Sequence, residues 1–268
     1  MKDEEWFRTK LVGKGTWAID DRGADVMYLI AGDEKCLLVD TGWGIGDLPK
    51  TVSSFSSLPL LVLNTHGHPD HSYGNSVFEQ VYIHEADKHL IDNLSTARTR
   101  KWMIKNVLPK PLPKSFDADK WAVKVPSIKT IKDGYVFDLG NRHLQTICVP
   151  GHTAGSVCLL DRENRLLFTG DTVQNPSWLH LEESLPLSQF LKNLKRLQSF
   201  SGEFDCFFPA HAELSTLPWS NKVIDELVEG VGQILEGKVQ GREEKTFAGD
   251  GLRCDFGSSG VVYRSDRL

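Results

Sequence analysis

Residues 65 to 71 read Thr-His-Gly-His-Pro-Asp-His, which puts four metal-ligand side chains, His66, His68, Asp70 and His71, within six positions. Neutral imidazole and carboxylate are ligands of first-row divalent cations, and a loop leaving a strand can turn His66 and His68 toward one ion and Asp70 and His71 toward another. So short a loop cannot complete two coordination shells, so the fold must deliver more ligands from distant strand ends. Three residues stand where such ligands are needed, each after an apolar, strand-like run: His152 in VPGHT, Asp171 in FTGDT and His211 in FPAH. The candidate set is then His66, His68, Asp70, His71, His152, Asp171 and His211, and it implies two ions.

The rest of the pattern is that of an α/β protein. Short apolar runs at 16–20, 26–32, 35–42 and 58–64 read as strands, with a helical stretch near 47–54 before the last of them. Further strand-like runs, SIKTIK, YVFDL, HLQTICV, SVCLLD, RLLFTGD and FDCFF, alternate with amphipathic helices in SLPLSQFLKNLKRLQSF and WSNKVIDELVEGVGQILEGK, and the tail alternates like a closing hairpin. Residues 95–126, with four prolines and two tryptophans, look inserted. Strands separated by helices, with chemically active residues at strand ends, suggest two sheets flanked by helices in one domain over 1–268.

Taken together, TH-x-H-x-DH, then GHT, GDT and a late AH, resemble the metallo-β-lactamase superfamily over nearly the whole chain. The resemblance implies a four-layer αββα sandwich of two mixed β-sheets flanked by helices. It also implies that His66, His68 and His152 hold a first metal, that Asp70, His71 and His211 hold a second, and that Asp171 bridges them. Asp40, closing KCLLVD, matches the family's first motif and would brace the histidine loop without ligating. The implied chemistry is hydrolysis by a water held between two zinc ions as hydroxide, with Asp70 or Asp171 as proton carrier and iron or manganese as other metals the ligands would accept. Consistent with this, the chain has no G-x-S-x-G elbow and no phosphate-binding G-x-x-x-x-G-K-[ST] loop. The oxygen- and nitric-oxide-reducing members carry Glu where this chain has His68. A mononuclear iron oxidoreductase of the sulfur-dioxygenase type, or a phosphodiesterase, is the alternative.

Substrate class is read from the insert and from the residues around the motifs. The insert, a basic flap at about 95–126, has eight basic residues (Arg98, Arg100, Lys101, Lys105, Lys110, Lys114, Lys120 and Lys124) against two acidic ones. Its charge of +6 stands out in a chain of net −5. A flap carrying Arg98, Lys101 and Trp102 would suit a substrate with an anionic handle and an apolar part, such as an acyl-CoA thioester; a solvated face with packed-down tryptophans is the competing reading. His180, soon after Asp171, is a further substrate-contact candidate. The tail lacks a clear glutathione-binding Lys/Arg pattern, and no tyrosine follows Asp171 as in lactonases; the segments THGHPDHSYGN and GSVCLLDRENRLLFTGDTVQNPSW look more like an acyl-CoA thioesterase branch.

Of the 268 residues, 40% are hydrophobic and 25% charged, ordinary globular usage that argues against disorder or a fibrous chain. The negative balance favours neither nucleic acid nor an anionic membrane as partner. Absence of an export signal points to the cytoplasm, and five scattered cysteines read as free thiols. A small-molecule substrate is the expected partner; oligomeric state is open, a homodimer included.

Overall fold

A computed structural model describes residues 6–94, 97–108 and 111–268, so that residues 95, 96, 109 and 110 of the flap, Lys110 among them, lie outside the described residues. The chain divides into two compact units. The first comprises Met1–Ile131, Phe137–His143 and Ala212–Ser215; the second comprises Lys132–Val136, Leu144–His211 and Thr216–Leu268.

Unit 1 is built on a seven-stranded sheet in chain order: β1 (Arg8–Gly13), β2 (Thr16–Asp20), β3 (Val26–Ala31), β4 (Cys36–Val39), β5 (Leu60–Leu63), β6 (Gln80–His84) and β7 (Ser127–Ile131). β1 to β4 pair antiparallel and β4 to β7 parallel. All four side chains of β4, Cys-Leu-Leu-Val, are buried, the uninterrupted apolar run expected of a strand covered on both faces. Helix α1 (Leu48–Phe55) starts at Asp47, whose carboxylate accepts the Lys50 amide at 3.1 Å. It buries Leu48 and Val52, one turn apart, in a cluster with Ile19, Met27, Leu29, Leu38 and Val62. Parallel pairing of β4 and β5, with Val39 opposite Leu63, brings Asp40 and Thr65–His66 to one sheet edge. There the chain turns into the one-turn helix α2 (Pro69–Ser72), then runs on through β6, α3 (Lys88–Leu94) and α4 (Ala97–Asn106). β1 and α4 were not evident in the sequence; α4 lies within the inserted segment.

In unit 2 a six-stranded sheet has the order β14 (Trp219–Ser220), β13 (Cys206–Pro209), β11 (Leu166–Gly170), β10 (Val157–Asp161), β9 (His143–Cys148) and β8 (Val136–Asp138), of which Phe137, Asp138 and His143 belong to unit 1. β10 is antiparallel to both β9 and β11, and β13 is parallel to β11, so β9, β11 and β13 point the same way. His152, Asp171 and His211 follow these three strands and therefore emerge at one edge. Helix α5 (Leu187–Gln198) buries Leu187, Phe190, Leu194 and Leu197, while α6 (Lys222–Leu235) buries Val223, Ile224, Leu227, Val231 and Ile234. Both stripes pack with Cys158, Leu160, Leu167 and Phe207 into one core. The tail does close in a hairpin, Phe256 opposite Ser259, but it forms a separate sheet of order β12 (Ser177–Leu179), β17 (Ser259–Tyr263), β16 (Gly249–Phe256) and β15 (Arg242–Thr246). All five cysteines are free, and no helix among the described residues is long and apolar enough to cross a membrane.

Candidate metal centre

In unit 1 the histidine loop is held from behind by Asp40. This residue sits at φ +63°, a left-handed conformation that costs a side-chain-bearing residue about 1–2 kcal/mol and that surrounding structure must impose. What imposes it is a fully committed, buried carboxylate, which accepts the Thr65 amide at 2.7 Å, the Thr65 hydroxyl at 2.8 Å and His71 Nδ1 at 2.9 Å. Two tautomers follow. His71 donates from Nδ1, so its lone pair is on Nε2; and since the Thr65 proton goes to Asp40, Thr65 Oγ1 accepts from His66 Nδ1 at 3.1 Å, which leaves the lone pair of His66 on Nε2 as well. His66 Nε2 lies 2.9 Å from His68 Nδ1, and Asp70 Oδ2 lies 3.6 Å from His71 Nε2.

A buried polar network fixes the loop backbone. The carbonyl of His71 takes the Thr41 amide at 3.0 Å and the Asn64 side-chain amide at 2.7 Å, while Asn75 bonds Asn64 at 2.7 Å and Thr41 at 2.9 Å. At the middle of the motif the Gly67 amide donates to Asp87 at 3.1 Å. Sequence reading missed Thr41, Asn64, Thr65, Asn75 and Asp87. The first four flank recognisable motifs and could have been found as hydrogen-bonding neighbours; Asp87, twenty residues away, carried no signal.

In unit 2, His152 donates from Nδ1 to the Trp178 carbonyl at 2.7 Å, which again leaves the Nε2 lone pair free to ligate. That nitrogen lies 3.5 Å from Asp171 Oδ2, and His211 Nε2 lies 3.3 Å from the same oxygen. A charge-assisted hydrogen bond would be about 2.7–2.9 Å. Two ligands each about 2.0–2.1 Å from a tetrahedral ion stand roughly 3.3 Å apart, and it is this spacing that the pairs show. One carboxylate oxygen facing two imidazoles is the arrangement a bridging ligand needs. Gln174 donates to that oxygen at 3.2 Å, and the His152 carbonyl accepts from Ser184 at 2.9 Å. The loop also depends on Gly151: a Cβ there would lie 2.2 Å from the Phe190 ring, so only glycine lets α5 pack against the turn that presents His152.

The donor chemistry therefore fits divalent cations in both units, with each imidazole whose tautomer is defined turned to ligate through Nε2. The remaining candidates are placed as follows. Arg98, Lys101 and Trp102 are exposed on α4, Trp102 at 46%. Trp121 is instead buried, donating to the Trp43 carbonyl at 2.6 Å and meeting the Tyr73 ring edge-on at 5.0 Å. One of the flap's tryptophans is thus core and the other surface. His180 is buried, and its Nε2 bonds the Thr246 hydroxyl at 2.9 Å.

The model of the metallo-β-lactamase superfamily matches residues 20–215, nearly three quarters of the chain. The chain belongs to that superfamily. Over 228 residues it is 29% identical to the acyl-coenzyme A thioesterase MBLAC2 of Gallus gallus, covering 79% of this chain and 82% of that protein. A metallo-β-lactamase from Pontibacter korlensis superposes with TM-score 0.59 at 16% identity, over 84% of this chain and 99% of that one. The protein TTHA1623, solved in a di-iron-bound form, does so with TM-score 0.54 at 23% identity, over 76% and 93%. These structures establish the metallo-β-lactamase fold, the α/β class of mixed sheets flanked by helices expected from the motifs. As a metallo-β-lactamase-superfamily protein the chain is a hydrolase whose fold implies divalent metal binding.

Proposed function

We propose that the chain is a cytoplasmic binuclear zinc thioesterase acting on acyl-CoA or a closely related small anionic thioester. The observation that carries this reading is the pairing of His152 and His211 on one Asp171 oxygen at ligand spacing. It is supported by the family match, which spans the candidate donors of both units, and by relatives named as acyl-coenzyme A thioesterases.

In this reading His66, His68 and His152 hold one ion, Asp70, His71 and His211 the second, and Asp171 both. Bound there, divalent ions lower the pKa of water toward neutrality and polarise a carbonyl oxygen. The residues do the rest. Asp40 and Thr65 keep His71 and His66 in the ligating tautomer, and Trp178 does the same for His152. Asp70 or Asp171 would take the proton released when water adds to the thioester carbon and pass it to the thiolate that leaves as the C–S bond breaks. Basic residues of α4, Arg98 and Lys101 among them, offer charge complementary to the nucleotide phosphates of CoA.

The test is release of free CoA from acetyl-CoA and decanoyl-CoA by purified protein, with metal content measured on the same sample. Two zinc ions per chain and chelator-sensitive turnover are expected. Turnover no faster than in the metal-stripped protein would sink the proposal, and a single iron with oxygen uptake on a persulfide would replace it with the redox alternative.

A further inference from the structure

Trp178 joins the metal site to the tail hairpin. Its carbonyl holds His152, and its half-buried ring packs against two others: the Phe247 ring lies 5.4 Å from it at 54°, and the His180 ring 5.1 Å at 67°. Phe247 occupies the two-residue tip between β15 and β16 and is 66% exposed, the most exposed large apolar side chain among the described residues. A phenylalanine left in water at a hairpin tip, tilted against the ring of the residue whose carbonyl orients His152, contributes little to the core and is placed for contact with a ligand.

The tip is also held rigidly. Thr246 Oγ1 gives its one proton to the Gly249 carbonyl at 2.7 Å, so it accepts both the Ala248 amide at 3.1 Å and His180 Nε2–H at 2.9 Å. His180 thereby donates from Nε2, and burial, which pushes its pKa down, favours the neutral ring. Close approach of the hairpin requires Gly251, where a Cβ would stand 3.0 Å from His180 Cβ and 2.7 Å from Val262 Cγ1. A buried histidine thus fixes the height of a hairpin whose tip presents one exposed aromatic.

We infer that Phe247 and Trp178 form an apolar platform for the acyl chain of the substrate, and that His180 is the positioning residue that sets it, so the tail hairpin decides chain-length preference. This rests on the thioesterase reading above and adds the specificity element to it. An acyl chain leaving the thioester carbon near His152 would lie along two ring faces, whereas an acetyl group is too short to reach them.

The experiment compares kcat/KM for decanoyl-CoA and acetyl-CoA in the metal-loaded parent, Phe247→Ser, Phe247→Leu, His180→Ala and the Phe247→Ser/His180→Ala double variant. Loss of the platform should lower the decanoyl-to-acetyl ratio about tenfold in Phe247→Ser, which is the scale for exposing part of an apolar chain to water. Phe247→Leu should restore most of it, and His180→Ala should lower it without adding to the Phe247→Ser effect. A non-hydrolysable decanoyl-CoA thioether should bind metal-free Phe247→Ser more weakly than metal-free parent by the same factor. If parent and Phe247→Ser show the same ratio within twofold, or if the His180 and Phe247 effects simply add, the platform is wrong while the thioesterase reading stands. A parent that releases no CoA from either substrate overturns both.

Discussion

Asp40 shows how one residue can serve the fold and the site together. Its carboxylate is the common acceptor for Thr65 and His71, and its left-handed backbone is tolerated because Asp, like Asn, accepts positive φ more readily than other residues. Asp40→Asn should therefore preserve the backbone yet place an amide where the His71 proton needs an acceptor. We expect metal affinity to fall about 10–100-fold, the usual consequence of losing a carboxylate behind a ligating histidine, as read by chelator competition. A second buried carboxylate, Asp21, accepts the Trp43 amide at 2.9 Å and the Trp6 indole. Burial pushes its pKa up to about 6 against the opposing pull of those two donors, with Asp20 and Asp70 adding repulsion. The native state then keeps a proton that the unfolded chain releases near pH 4, so stability falls as pH rises from 4 to 6, by on the order of 3 kcal/mol for a shift of this size. In denaturant titrations across that range, Asp21→Asn should lack this component of the pH dependence.

Among the elements, α4 and the tail hairpin behave differently from the sheets that present the candidate metal ligands. The described part of α4, from Ala97 to Asn106, carries Arg98, Arg100, Lys101 and Lys105 with no acidic residue, while the segment after it is pinned through Trp121. A pinned base under an exposed basic helix suits capture of an anionic handle. Neutralising Arg98 and Lys101 together, each to Gln, should raise KM for acyl-CoA several-fold and leave kcat nearly unchanged, because exposed charge contacts contribute only about 0.2–1 kcal/mol each. Raising the salt concentration should weaken the parent toward the variant. Identical KM values at low salt would return α4 to the role of a solvated surface. The sheets were the readable elements: β2, β4 and β5 fall where their apolar runs stand, and α6 lies within its amphipathic stretch, because burial writes a period of 2 or 3.6 into the sequence. Edge strand β1, with side chains exposed or half-buried, lacks that imprint, and α4 lacks it for the same reason.

For the molecule as a whole, metal and fold are thermodynamically linked. Ions that bind the native chain and not the unfolded one stabilise it by about 2.7 kcal/mol when present at a hundredfold excess over their dissociation constant. At roughly 2–4 °C per kcal/mol for chains of this size, chelation should lower Tm by about 5–10 °C, and zinc should restore it in differential scanning calorimetry. An unchanged Tm would mean that the donors of the two units do not hold ions in the folded protein. Much of this was readable in one dimension. The candidate ligands are a few chemical types at strand ends, so His66, His68, Asp70, His71, His152, Asp171 and His211 stand out by type and spacing. Only folding shows that Asp40, Thr65 and Trp178 choose the tautomers of those ligands, that Trp121 is core while Trp102 is surface, and that His180 spends its proton on Thr246. Apart from Thr65 beside His66, these roles come from hydrogen bonds and ring contacts between residues far apart in the chain, such as His180 and Thr246, and no local pattern of residue types encodes which distant partner a side chain will meet.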